Sequence, residues 1–128
     1  MAQLQSLSIQ GNPVVDYIIE KGDKTVDSVS WKYCKYASGK VECWCKVDKS
    51  LTFSNTNICY NPITLPFAFS DDLNFQPSGS GTSTTHIIWL GQLGLRDSNT
   101  LNSYVVSHGT TSSTLQCSLK YHVWGNLL

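Results

Sequence analysis

The sequence predicts an all-β protein, a jelly-roll-like β-sandwich or barrel of about seven or eight short antiparallel strands. Three observations favour this class. Short runs rich in β-branched and aromatic side chains alternate with clusters of Gly, Ser, Asn and Asp. No stretch of useful length shows the periodicity of an amphipathic helix. The length of 128 residues suits one domain.

The predicted domain begins after a polar connector. Residues 1–13 end in Gly-Asn-Pro, a turn signal, so we expect a connector over 1–13 and a single β-domain over 14–128. The run VVDYIIE (14–20) is β-branched and aromatic. It predicts a strand that ends at Lys21-Gly22-Asp23.

A β-hairpin is predicted for WKYCKYASGKVECWCKV (31–47), where two alternating runs flank a turn that contains glycine. We expect Ser38-Gly39 to form a two-residue turn. That turn gives the following cross-strand pairs: Tyr36 with Val41, Lys35 with Glu42, Cys34 with Cys43, and Tyr33 with Trp44. Opposite charges and aromatic rings would then face each other, which favours the pairing.

This register makes both faces of the hairpin partly apolar. The cysteines and Val41 share one face, whereas three aromatic side chains lie on the other. We expect one face to meet the core and the other to meet a second subunit. The candidate subunit-interface residues are Trp31, Tyr33 and Trp44.

The middle of the chain predicts one alternating strand, one short strand and one loop. ITLPFAF (63–69) alternates, and Pro66 indicates an edge strand or a strand end because it cannot donate a ladder hydrogen bond. LNFQP (73–77) predicts a short strand. SGSGTST (78–84) predicts a flexible loop of small residues.

The last third of the chain predicts three strands. THIIWLGQLGL (85–95) is apolar on both faces, and its glycines indicate a bulge or bend. NSYVVSH (102–108) follows a turn. TLQCSLKYHVWG (114–125) alternates regularly, which predicts one inward and one outward face.

The five cysteines are expected to be reduced thiols that pack as small hydrophobes. Two weaker alternatives stay open. Cys34 and Cys43 could form a disulfide across the hairpin, or Cys34, Cys43 and Cys45 could hold a metal. Structural zinc sites usually need a further Cys or His pair, which this sequence lacks. We therefore predict no metal and no cofactor.

Charge and motifs exclude several function classes. Nine basic side chains balance nine acidic ones without a basic run, so nucleic acid is not an expected partner. No apolar run reaches the roughly 20 residues that span a membrane, so membrane insertion is not expected. The three histidines are scattered, and neither a nucleophile elbow nor a zinc-protease motif is present. We predict that the protein is not an enzyme and has no catalytic residues.

Saccharide binding fits the composition better. Four tryptophans, six tyrosines and many amide and hydroxyl side chains supply stacking surfaces and hydrogen bonds. The candidate ligand contacts are outward or polar positions near predicted strand ends and turns: Arg96, Asp97, Asn99, His122 and Trp124.

The hairpin and its neighbours resemble a pattern of phage tail-fibre and related virion structural proteins. The pattern is W-x-Y-x-K-W-x-x-G-x-x-E-C-W, preceded by a DYIVEQG-type strand and followed by a Y-P-F-A-F stretch. The aligned positions are Asp16, Tyr17, Ile18, Glu20, Gly22, Trp31, Tyr33, Lys35, Tyr36, Gly39, Glu42, Cys43 and Trp44, with LPFAF at 65–69. Two positions depart from it: Cys45 replaces the usual glycine, and Tyr36 stands where tryptophan is common.

The resemblance implies a C-terminal receptor-binding head or tip domain of a virion fibre. Such a domain would be a homotrimer joined to the rest of the fibre, and it would bind a host cell-surface glycan or protein. One alternative is a structural virion protein, a head fibre or decoration protein without its own receptor. Another is a monomeric carbohydrate-binding module. Because the N-terminus lacks a secretory leader, we expect synthesis in the host cytoplasm and location in the virion.

Overall fold

The structure, a computed structural model, describes residues 8–9, 12–13 and 16–128. All the regular secondary structure of these residues is β. The strands are β1 (Ser8–Ile9), β2 (Asn12–Pro13), β3 (Ile18–Val26), β4 (Val29–Tyr36), β5 (Lys40–Thr52), β6 (Thr56–Tyr60), β7 (Ile63–Thr64), β8 (Gln76–Ser83), β9 (Ile88–Asp97), β10 (Thr100–Thr111) and β11 (Thr114–Asn126). Nowhere in the described residues is there a helix long and apolar enough for a membrane crossing.

Nine of these strands form two antiparallel sheets. The five-stranded sheet has the order β3-β4-β5-β11-β8, and the four-stranded sheet places β9 on one side of β10 and both β6 and β7 on the other. Within the described residues, β1 pairs with β2 alone. The predicted all-β class and its antiparallel strands are confirmed, with a core between two sheets as in a sandwich. The finer jelly-roll description stays a prediction.

The core forms because the long strands alternate strictly. On β11, the side chains from Leu115 to Val123 are buried at every second position, and β10 repeats this pattern from Leu101 to Ser107. The predicted two faces of residues 114–125 are therefore confirmed. Since the alternate residues of one strand point to opposite faces, the five-stranded sheet keeps a second, outer face that the core does not use.

The β4–β5 hairpin exists, but its predicted register was wrong by one residue. Tyr33 pairs with Cys43, and Cys34 pairs with Glu42. The loop between the strands has three residues, 37–39, and closes through a hydrogen bond of 3.0 Å from the Gly39 N–H to the Tyr36 carbonyl. Gly39 has a φ of 93°, as a three-residue hairpin loop requires at its last position. Because the loop has one residue more than predicted, the side chains of β4 lie on the opposite face from the predicted one.

This register corrects the predicted interface. Trp31 is completely buried within the chain, so it offers no surface to a second subunit, and that prediction was wrong. Tyr33 lies on the inner face, where its ring contacts Phe67 edge-on at 4.9 Å between centroids. Trp44 alone of the three lies on the outer face, and it is 37% exposed. For Tyr33 and Trp44, an interface role stays a prediction.

The register also separates the cysteines. Cys43 and Cys45 point into the core, whereas Cys34 lies on the outer face with Glu42. Cys34 and Cys43 are therefore on opposite sides of the sheet, and the alternative of a disulfide between them is wrong. The same separation prevents Cys34, Cys43 and Cys45 from converging on one metal ion. All five thiols are free in the structure.

β3 starts and ends later than predicted. It runs through Lys21-Gly22-Asp23 to a two-residue turn at Asp27 and Ser28, whose φ values of 48° and 65° indicate a type I′ turn. Gly22 is no turn residue. It pairs with Tyr33, and a Cβ at Gly22 would lie 3.1 Å from the Tyr33 hydroxyl oxygen. The strand predicted over 14–20 lies partly outside the described residues, as does most of the connector over 1–13.

The predicted flexible loop over 78–84 is instead most of strand β8. β8 pairs along its whole length with β11, from Gln76 opposite Trp124 to Ser83 opposite Cys117. Gly79 and Gly81 point inward, where Leu90, Ile88 and Leu119 occupy the space that their side chains would fill. The strand is recognisable only once its neighbours are in place.

The remaining strand predictions hold in part. Only Ile63–Thr64 of the predicted strand 63–69 is regular, and Phe69 forms an isolated bridge with Leu127. The predicted bulge of residues 85–95 is confirmed. The ladder between β9 and β10 shifts between Gly91 and Gly94, and Gln92 there has a φ of 50°.

One polar network crosses the core between the sheets. Tyr121 is 1% exposed, and its hydroxyl lies 2.9 Å from the Ser103 Oγ. The Asn61 Nδ2 donates to the same hydroxyl over 3.1 Å, and the Lys49 Nζ donates to the Asn61 Oδ1 over 2.8 Å. Because every buried group in this network has a partner, it fixes the position of β11 against β10 without an unsatisfied polar atom.

Candidate functional site

A groove runs across the outer face of the five-stranded sheet. Its volume is about 940 Å³. We call it the sheet groove; it is lined by Ser30, Lys32, Glu42, Trp44, Cys45, Lys46, Ser78, Gly79, Ser80, Lys120, Tyr121 and His122. A smaller hollow of about 420 Å³ adjoins it and shares Glu42, Ser78 and His122 with it. The two cavities therefore form one continuous binding surface.

The sheet groove is built from cross-strand rows. Lys32 of β4 pairs with Trp44 of β5, which pairs with His122 of β11, which pairs with Ser78 of β8. Four strands thus place four outward side chains in one line across the sheet. A regular, fully paired sheet holds such a row rigidly, which favours binding with little ordering of the free protein.

Glu42 lies at the centre of this surface and is held by two neighbours. Its Oε2 lies 2.7 Å from the His122 Nε2, and its Oε1 accepts a hydrogen bond of 3.1 Å from the Tyr36 hydroxyl. Burial and this hydrogen bond raise the pKa of Tyr36, so the phenol stays a donor. Because both carboxylate oxygens are engaged, Glu42 orients its neighbours.

Two tryptophans mark the aromatic part of the surface. Trp44 meets the His122 ring edge-on at 6.2 Å between centroids and leaves its other surface exposed. Trp124 lines the smaller hollow and packs against Tyr36 at 5.2 Å, with the Lys40 Nζ 5.6 Å from its centroid. The exposed indole ring of Trp44 beside hydroxyl, amide and carboxylate groups suits the flat apolar face and polar rim of a sugar.

Three lysines border the sheet groove, and they differ in their partners. The Lys32 Nζ lies 3.3 Å from the Asp23 carboxylate. Lys46 and Lys120 are directly opposite each other on β5 and β11. Neither of these two lies within ion-pair distance of a carboxylate in the part of the chain that the structure describes.

The predicted ligand contacts divide into two groups. His122 lines both cavities and Trp124 lines the smaller one. Arg96, Asp97 and Asn99 lie instead at the β9–β10 turn of the other sheet and line neither cavity. For all five residues, a role in ligand binding stays a prediction.

The β9–β10 turn residues have a structural role. The side-chain hydrogen bond from Thr100 is the main cause of the lowered pKa of Asp97, and the Asn99 N–H also donates to Asp97 over 3.2 Å. The carbonyl of Asn99 accepts a hydrogen bond of 2.8 Å from the Leu65 N–H. These contacts close the turn and anchor the segment after β7.

Sequence reasoning missed the residues that form the centre of the sheet groove: Glu42, Lys46, Ser78, Ser80 and Lys120. The signal for the β11 residues was present, because the outward face of residues 114–125 was predicted correctly. The alternation of β5 likewise placed Glu42 and Lys46 on the same face as Trp44. Among the described residues, no group of three or more His, Cys, Asp or Glu side chains is placed to hold a metal ion.

Comparison with known proteins identifies the fold of the chain but no sequence family. No protein-family model and no curated protein sequence matches the chain. A solved structure of the C-terminal part of the P. aeruginosa R1 pyocin fibre matches 84% of this chain at 12% identity, with a TM-score of 0.54. The chain shares its fold with pyocin tail fibres.

A second pyocin structure supports the same assignment. The N-truncated R1-type pyocin tail fibre matches 84% of this chain at 12% identity, with a TM-score of 0.53. The chain spans 28% of the longer pyocin structure and 86% of the shorter one. The resemblance to tail-fibre proteins is thus confirmed at the level of the fold.

Proposed function

We propose that this chain is a distal β-domain of a virion fibre that attaches to a host surface by binding a glycan in the sheet groove, without catalysis. The observation that carries the proposal is the half-exposed Trp44 ring in a rigid groove rimmed by Glu42, His122 and serine hydroxyls. The fold shared with pyocin tail fibres supports the assignment to a fibre.

Trp44→Ala tests the proposal directly. On an array of bacterial surface saccharides, we expect the wild-type chain to bind a subset of glycans and Trp44→Ala to bind them at least roughly tenfold more weakly, since a stacked tryptophan contributes about 2 kcal/mol or more. Leu73→Ala is the control, because Leu73 is 99% exposed in the loop before β8, away from the sheet groove. Unchanged binding by Trp44→Ala would contradict a role for the groove. Mass spectrometry of the bound glycans should show no cleavage.

We propose that the fibre domain is a homotrimer whose copies meet through the outer face of the four-stranded sheet. This apolar face consists of Ile58, Tyr60, Ile87, Trp89, Tyr104 and Val106. Val106 pairs with Ile58 on one side and with Trp89 on the other, so the side chains form one continuous surface. Ile58, Trp89 and Ile87 are 48%, 46% and 70% exposed. An uncharged aromatic patch of this kind can be buried around a threefold axis, where it meets the same patch of the two other copies.

Light scattering tests this assembly. We expect a mass near three times 14.2 kDa for the wild-type chain and near one chain for Trp89→Glu, because a charge in the apolar face would be desolvated without a partner. Leu73→Glu, at a fully exposed position in the loop before β8, is the control and should leave the mass unchanged. A wild-type monomer at micromolar concentration would instead favour the alternative of a monomeric carbohydrate-binding module.

A further inference from the structure

Positive charge is concentrated in the sheet groove of a chain whose net charge is zero. Three lysines and one glutamate line the groove, and the single carboxylate of Glu42 is already engaged by His122 and Tyr36. Counted with a neutral His122, the side chains that line the groove carry a formal charge of +2. A ligand that enters it meets an electrostatic field that favours anions.

Because Lys32 is paired with Asp23, Lys46 and Lys120 are the two lining lysines without an ion pair among the described residues, and their position is unfavourable for the free protein. They are Cα partners in the β5–β11 ladder, the longest pairing of the sheet. Like charges directly opposite each other on neighbouring strands are destabilising. Asp48 follows on the same face of β5 but pairs with Ser118 and forms no ion pair, at least among the described residues. Among the described residues, no carboxylate therefore offsets the repulsion between Lys46 and Lys120.

The surroundings of the lysine pair favour an anionic group that belongs to a sugar. Ser80 of β8 pairs with Lys120 and adds a hydroxyl group to the same face of the sheet. Trp44 lies two residues from Lys46 on the same face of β5, a spacing of about 7 Å along a strand. If a saccharide ring stacked on Trp44, the lysine pair would lie about one sugar unit away from that ring.

We propose that the sheet groove binds an acidic saccharide, with the carboxylate, phosphate or sulfate group of the sugar held between Lys46 and Lys120. The inference rests on the proposed function and names the class of its ligand. The anion replaces the missing countercharge, so the lysine pair is repulsive in the free protein and attractive in the complex. Binding should weaken as ionic strength rises, because the pair is exposed to solvent.

Matched saccharides test the ligand class. The probes are polygalacturonate against its fully methyl-esterified form, and dextran against dextran phosphate and dextran sulfate, titrated at low salt by tryptophan fluorescence. We expect an acidic member to bind at least tenfold tighter than its neutral counterpart. The first pair tests the carboxylate, and the second set tests the phosphate and sulfate esters. Equal affinity within both sets, or no binding by any acidic probe, would overturn the inference.

Lysine variants test the position of the anion. The double variant Lys46→Gln and Lys120→Gln should remove the preference for the acidic member, whereas Lys21→Gln, an exposed lysine of β3 outside the groove, should keep it. Persistent preference in the double variant would overturn the assignment. If the groove instead bound neutral glycans on the array through Trp44, the proposed attachment function would stand and only the acidic class would fail.

A stability measurement tests the premise without any saccharide. Because Lys46 and Lys120 repel each other in the free protein, Lys46→Gln should raise the melting temperature at low salt, and added salt should reduce the difference. A lower melting temperature for Lys46→Gln, relative to the Lys21→Gln control, would overturn the inference that the pair lacks a countercharge.

Discussion

Gly79→Ala is expected to lower the free energy of unfolding by about 2–3 kcal/mol, a large effect for the addition of one methyl group. A Cβ at residue 79 would lie 2.6 Å from the Leu90 Cδ1 and 2.9 Å from the Lys120 carbonyl oxygen. The Leu90 side chain can rotate, but the Lys120 carbonyl belongs to the β11 backbone and cannot yield without loss of ladder hydrogen bonds. Urea denaturation of the wild-type chain and the variant measures the difference.

Gly94→Ala is the matched control for this prediction. Gly94 lies in β9, and nothing comes within 4 Å of a Cβ built there. We expect its stability to stay within about 0.5 kcal/mol of the wild type. Equal stability of Gly79→Ala and the wild-type chain would contradict the close approach of β8 to β9 and β11.

Leu90→Ala separates the two contacts of residue 79. Alone, it should destabilise the protein, because it removes a partly buried side chain that packs against the core. Combined with Gly79→Ala, it should destabilise by less than the sum of the two single changes, since it frees space for the new methyl group. Additive effects would place the whole cost of Gly79→Ala on the Lys120 carbonyl.

Strand β8 shows why part of this fold could not be predicted from the sequence. The segment SGSGTST has no apolar side chain, and strand prediction depends on such side chains. In the structure, Leu90, Ile88 and Leu119 reach across to the backbone of Gly79 and Gly81 and occupy the space that side chains there would fill. The apolar surface that stabilises β8 thus belongs to its neighbours. In contrast, β11 carries its own alternation and was predicted almost to its ends.

The hairpin shows a second limit, and it bears on the candidate site. The two strands were predicted, but a loop of three residues instead of two moved Trp31 from the predicted surface to the core. The same change brought Glu42 and Cys34 together on the outer face. Because a strand has a period of two, a single residue decides which side chains can bind a ligand. Loop conformation depends on the φ of Gly39, which the residue type permits but does not fix.

Alkaline pH is expected to destabilise the protein strongly, through two thiols of the same hairpin strand. Burial is the main cause that raises the pKa of Cys43 and of Cys45 from 9.0 to about 12. In the unfolded chain both thiols would lose their protons near the ordinary value. The folded state therefore keeps protons that the unfolded state releases, and stability is unaffected below about pH 9 and falls as the pH rises from 9 towards 12.

The size of the effect follows from the same shift. Each pKa unit corresponds to about 1.4 kcal/mol, so two thiols at pH 10.5 together remove about 4 kcal/mol of the free energy of unfolding. That loss is comparable to a large part of the total stability of a small domain. Burial also raises the pKa of Cys59, Cys117 and Tyr121, which adds to the loss in the same direction. Urea midpoints at pH 8, 9, 10 and 10.5, with a reductant present, measure the slope.

The double variant Cys43→Ala and Cys45→Ala identifies the source of the slope. It should be less stable at pH 8, because both side chains lie in the core and their removal leaves cavities. Its stability should nevertheless fall much less between pH 9 and 10.5 than that of the wild-type chain. An identical slope in both proteins would mean that the thiols are accessible to water in the folded state. Strand β5 would then not turn Cys43 and Cys45 towards the core, and the outward positions of Glu42 and Trp44, on which the sheet groove depends, would be lost with it.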